Sequence, residues 1–167
     1  MPQAFVHVGS LENLPSTASP GLKFLQTLLP ALDSLEPAVN SLRTLVAPDA
    51  PFMINGQAIG TLAQIVTMFE ARSTRLSVFR HDVKKAWDIA YDDGPLSRRT
   101  VMYESTSVTI FKDDPEQLSV EVNEFNIVEL EPRGSQYESG HPQYKAVELK
   151  TFMNAKPVQE RAVKVTG

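Results

Sequence analysis

"LSVFRHDVKKAWDIA", residues 76–90, separates into two interleaved sets. Phe79, His81, Val83, Lys85, Trp87 and Ile89 form a mostly apolar set; Val78, Arg80, Asp82, Lys84, Ala86 and Asp88 form a mostly charged one. A period of two is the pattern of a half-buried β-strand. The apolar set contains a histidine, which admits two readings. His81 is either a core residue with a satisfied hydrogen bond or a side chain pointing into a binding cavity.

Three further extended segments follow, at 99–111, 118–131 and 145–154. "DDGPLSR" separates the first two long segments and "KDDPEQ" the next two, both rich in turn formers. A longer loop, "PRGSQYESGHPQY", precedes the last. Strands joined by such short connections pair antiparallel.

Upstream of residue 76 the period changes. Leu22, Phe24, Leu25, Leu28, Leu29 and Leu32 predict an amphipathic helix over 21–32, with Pro20 at its start and Pro30 marking a kink or stop. "SLEPAVNSLRTLV" predicts a second short helix capped by Ser34. Phe52, Met53 and Ile54 read as a short strand running into the turn Asn55-Gly56. Thr61 opens a third helix over 61–76, with Leu62, Ile65, Val66 and Phe69 on one face. Helices first and long strands second give an α+β fold, with helices covering one face of a curved antiparallel sheet. The expected organisation is a loose N-terminal arm (1–19), one domain (20–160) and a short polar tail (161–167). "AFVHV", residues 4–8, has strand-like composition and would otherwise pack on a partner subunit.

At 167 residues and 42% hydrophobic, the chain suits one globular domain. A formal charge of −4 gives no electrostatic footprint for nucleic acid or an anionic membrane. The absence of cysteine excludes disulfides, thiol catalysis and thiolate metal sites. His7, His81 and His141 lie in unrelated segments without metal-ligand spacing, so neither metal nor cofactor is expected. Residues 1–20 lack a secretory leader's pattern, and no stretch nears the roughly 20 apolar residues of a membrane span. A cytoplasmic protein is the expectation.

Three segments carry a resemblance: "PFMINGQAIGTLAQIVTMFEARS" (51–73), "RHDVKKAWDI" (80–89) and "AVELKTFMNAKP" (146–157). In this order of elements the chain resembles the nuclear-transport-factor-2-like superfamily, in its SnoaL-like and ketosteroid-isomerase-like branch, and looks like fungal members of it. The resemblance implies a cone-shaped domain whose sheet curls around a deep pocket. It also implies isomerase, dehydratase or cyclase activity on polyketide- or terpenoid-like metabolites in secondary metabolism. Non-catalytic ligand-binding and dimerisation modules share the fold, which does not choose among them. Asn154 stands where family enzymes often carry an acid, and an amide cannot exchange a proton at neutral pH.

Period-two reading of each strand strands His81, Glu104, Glu124, Asn126 and Thr151 on the more apolar faces. Half-buried carboxylates need partners, and His81 is the natural one. His81 with Glu104 or Glu124 is therefore the expected acid–base pair. Asn126 and Thr151 would orient a carbonyl or hydroxyl. Phe79, Trp87, Met102, Met68 and Phe69 would line the pocket around a small apolar metabolite. A β-bulge would invert the parity, so Tyr103, Phe152 and Asn154 are second choices. Arg72 and Arg75 read first as solvated cations at a helix end, with a pocket arginine as the lesser alternative. Phe111, Phe125 and Ile127 read as an apolar outer patch, and hence as the face of a homodimer.

Overall fold

The computed structural model describes residues 3–36, 41–94, 96–134 and 143–166. Four long strands dominate: β4 (Leu76–Ala90), β5 (Arg99–Phe111), β6 (Val120–Pro132) and β7 (Tyr144–Met153), each antiparallel to the next. Three short strands complete a seven-stranded sheet in the order β1-β4-β5-β6-β7-β2-β3. β1 (Gln3–Val8) pairs antiparallel with β4, so residues expected in a loose arm form an edge strand of this same chain's sheet. β2 (Phe52–Ile54) runs parallel to β7 and turns through Asn55 and Gly56 into β3 (Gln57–Gly60). Both turn residues have positive φ, 51° and 82°, the conformation that the Asn-Gly pair adopts at least cost. Asn55 also pins the hairpin: its Nδ2 donates to the Met153 carbonyl (2.8 Å) and its Oδ1 accepts from the Met153 N–H (2.9 Å).

Helix α1 (Pro20–Asp33) buries Leu22, Leu25, Leu28, Leu29 and Leu32 against the sheet and runs through Pro30 for one further turn. Ser34, expected to cap a second helix, closes α1 instead, donating its N–H to the Pro30 carbonyl. Of that second helix, residues 37–40 lie outside the described residues and α2 (Leu42–Leu45) is a single turn. α3 (Leu62–Arg75) begins at Thr61, whose N–H donates to the Gln64 side chain at 2.8 Å. The polar tail forms a helix, α4 (Lys156–Thr166), with no buried residue among those described. Arg161 ties it to Asp114 and Glu116 in the β5–β6 turn.

One buried ion pair anchors the helical layer to the sheet. Arg99 Nε donates to both carboxylate oxygens of Asp88, at 2.9 and 3.0 Å. The Gly21 N–H at the start of α1 donates to the same carboxylate at 2.9 Å. A Cβ on Gly21 would lie 2.4 Å from the Asp88 carboxyl carbon, so glycine is what lets the helix start against this group.

The parity of β4 reverses part-way along. A bulge between Val83 and Lys85 inserts Lys84 as an unpaired residue. Before it Phe79, His81 and Val83 face inward; after it Ala86, Asp88 and Ala90 do. Trp87 is thereby turned to the outer face, where its ring meets Phe125 at 6.4 Å.

Candidate functional site

A cavity of about 290 Å³ lies between α3 and the inner face of the sheet. Leu32, Ile59, Ile65, Met68, Phe69 and Phe79 give it apolar walls. Arg72, His81, Tyr103, Glu124, Asn126 and Thr151 bring polar groups to it. The arrangement follows from register. Glu124 and Asn126 are successive inward positions of β6, and the inward side chains of β5 opposite them are Ser105 and Tyr103. Thr151 of β7 is opposite Asn126 on the other side. Thr151 Oγ1 donates to Asn126 Oδ1 at 2.7 Å, and Asn126 Nδ2 donates to Ser105 Oγ at 3.2 Å.

His81 sits between two carboxylates. Its Nδ1 is 2.5 Å from Asp33 Oδ1 and its Nε2 is 3.2 Å from Glu124 Oε2. Asp33, the last residue of α1, also accepts the His81 backbone N–H at 3.0 Å. Burial alone would make the ring release its proton more readily. The hydrogen bonds and charges of Asp33 and Glu124 outweigh burial and raise the imidazole from an ordinary 6.5 to about 9. Burial likewise opposes ionisation of Glu124, yet His81, Ser107 and Asn126 hold it below the usual carboxylate range. At neutral pH the pair is therefore imidazolium and carboxylate. Burial, followed by the charges of Glu124 and Asp33, pushes the Tyr103 phenol well above its usual range. Tyr103 is thus a neutral donor, with no hydrogen-bond partner among the described residues.

Between pH 6.5 and about 9 the folded protein holds a proton on His81 that the unfolded chain has released. The contribution to stability is full below 6.5 and is lost as pH rises through about 9. The expected slope is up to about 1.4 kcal/mol per pH unit. Urea unfolding of the wild type and of His81→Gln across that window checks it; equal slopes would remove the imidazolium.

Of the residues expected at the site, His81, Glu124, Asn126, Thr151, Phe79, Met68, Phe69 and Tyr103 line the cavity. Glu104, Trp87, Met102, Phe152 and Asn154 do not. Glu104 and Met102 lie on the outer face because the inner face of β5 is the set Val101, Tyr103, Ser105, Ser107 and Thr109, whose hydroxyls make it look the more solvated. Trp87 is displaced by the Lys84 bulge. Phe152 is opposite Phe125 on the outer side and 42% exposed. Asn154 lies just past the end of β7, and its Oδ1 accepts the Lys156 N–H, capping α4. Phe111, expected on the outer patch, is buried with the inward set.

Two residues of the site were not assigned to it by the sequence reading. Asp33 lies 48 positions from His81, and nothing in its local pattern marks it. Arg72, read as solvated, has its guanidinium between the rings of Phe69 (3.9 Å) and Phe79 (4.1 Å). Burial lowers its pKa to about 10, against the opposing charge of Asp33. Its Nη2 donates to the carbonyls of Leu32 and Ser34 at 2.6 and 3.1 Å. Among the described residues no group of three or more His, Cys, Asp or Glu is arranged to hold a metal ion. No helix among them is long and apolar enough to cross a membrane.

A curled sheet closed by helices around one polar-lined cavity is the nuclear-transport-factor-2-like architecture, and comparison with solved structures agrees. The Chaetomium thermophilum Mex67 NTF2-like domain, solved in complex with Mtr2, aligns with a TM-score of 0.61 at 12% identity, covering 81% of this chain and 96% of that one. A putative isomerase of the SnoaL-like family from Agrobacterium tumefaciens aligns at 0.52 and 12% identity, covering 82% and 99%. A putative calcium/calmodulin-dependent protein kinase II association domain from Xanthomonas campestris aligns at 0.58 and 14%, covering 89% and 96%. No protein-family model and no curated protein sequence matches the chain. At these identities the likeness is one of fold.

Proposed function

We propose that the protein is a cofactor-independent enzyme that moves a proton on a small, mostly apolar metabolite bound in the cavity. The observation that carries this reading is the Glu124 carboxylate, paired with a protonated His81 at the wall of a mostly apolar chamber. In this reading Glu124 accepts a proton from carbon or oxygen of the ligand. Tyr103 donates to the oxygen on which charge develops, and His81 returns a proton. Asn126 and Thr151 fix the ligand's orientation. Isomerisation, dehydration and cyclisation of a folded substrate all use such steps, and none needs an acid at Asn154. The family resemblance alone carries the finer placement, a polyketide- or terpenoid-like substrate in fungal secondary metabolism within the cytoplasm. Solvent-deuterium exchange tests the chemistry: a panel of ketones and enones is incubated with the protein in D2O and followed by NMR. Catalysed exchange next to a carbonyl is expected; its absence across the panel, with binding intact, would leave a carrier.

A second reading, a partner-binding module, has its own observation. On the outer face the cross-strand row Val6, Trp87, Met102 and Ile127 is apolar from β1 to β6, and Phe125 and Phe152 adjoin it. Val6 is 55% exposed. A patch of this kind suits a homodimer formed sheet to sheet. Light scattering at micromolar concentration is expected to give twice the chain mass, and a monomer would rule the dimer out.

A further inference from the structure

We infer that the cavity's ligand carries an anionic oxygen, a carboxylate or its equivalent, seated on the free Nη1 amino group of Arg72. The inference rests on the ligand-cavity reading above and adds the class of ligand.

A guanidinium presents five N–H donors in a rigid plane. In Arg72 the Nη2 hydrogens go to the carbonyls of Leu32 and Ser34 at the end of α1, and the two faces are covered by Phe69 and Phe79. These contacts account for the plane and for one amino group. They leave Nη1, which has no partner among the described residues; Nε has none either, but it is sealed from solvent and so from a ligand oxygen. No carboxylate among them lies within ion-pair distance of this guanidinium. Asp33 acts on this partly buried cation only at a distance, without an ion-pair contact, and a ligand anion would supply that contact.

The other charges around the cavity are already committed. Glu124 is taken by His81 Nε2, and Asp33 holds the far side of the same ring. Lys150 lines the cavity, but its ammonium pairs with Glu148 at 3.0 Å. Arg72 and His81 are thus balanced overall by Glu124 and Asp33, but both carboxylates are spent on the imidazolium and neither contacts Arg72, so the contact left open is the one at the guanidinium. Arg72 is also held rigid between two rings, so little side-chain freedom is lost when it binds. The apolar walls suit the body of such a ligand, an amphipathic organic acid.

Octanoate and octanamide, which share shape and differ in charge, test this by titration calorimetry. The wild type is expected to bind octanoate about tenfold more tightly than octanamide, as charge-assisted hydrogen bonding predicts. Arg72→Gln should lose that preference, the ratio of the two affinities falling to about one. Arg72→Lys, which keeps the charge, should still favour octanoate. Equal affinities in the wild type, equal affinities in the lysine variant, or a preference surviving in a folded glutamine variant would each overturn the inference. Failure of both probes to bind the wild type would remove the ligand-cavity reading itself, and this inference with it.

Discussion

Glu124→Gln is expected to lower turnover by about 10²–10⁴-fold, the range for a positioned general base. The substitution is nearly isosteric, so the side chain still fills its place between His81 and Asn126. An amide, however, cannot take a proton, and it withdraws one of the two charges that hold His81 protonated. The imidazole should therefore lose its proton at lower pH in the variant, visible as a shifted ring-proton titration by NMR. Ligand affinity should change far less than rate, because the apolar walls are untouched. A variant that retains wild-type exchange rates would exclude Glu124 as the base. Reduced affinity with an unchanged rate would make it a binding group only.

Asp88→Ala should cost roughly 3–5 kcal/mol of stability, the scale for removing one partner of a buried ion pair. Asp88 is fully buried and Arg99 is 4% exposed, so the arginine left behind has no access to bulk solvent. The Gly21 N–H loses its acceptor at the same time. Urea denaturation measures the loss. The double variant Asp88→Leu/Arg99→Met should recover much of it, since apolar pairs of similar volume often replace buried ion pairs at no net cost. A single-variant loss under about 1 kcal/mol would mean that solvent reaches Arg99.

The sequence carries the architecture in its periods. The change from helical spacing to period two at residue 76 locates the four long strands and the helices before them, and Asn55-Gly56 marks the hairpin. It carries the site less fully. His81, Glu124, Asn126 and Thr151 stand out because each interrupts an apolar face. Glu104 stands out for the same reason and lies outside, because on β5 both faces mix polar and apolar residues and parity cannot be read from hydrophobicity. Trp87 is misplaced by a single extra residue that leaves no compositional trace. Asp33 reaches the His81 ring, and Arg72 the cavity, from helix ends, where local spacing describes the helix face and not what its terminus meets.

That extra residue, Lys84, also governs how the chain can change in length. Its two flanks keep opposite phases, so deleting it would bring Trp87 beneath α1 and expel Asp88 from Arg99 and Gly21. A one-residue insertion on either side would do equal damage. Gains and losses of residues in related genes should therefore collect in the connections 91–98 and 112–119 and avoid the middle of β4. In this fold a codon lost at position 84 is a more serious lesion than most substitutions there.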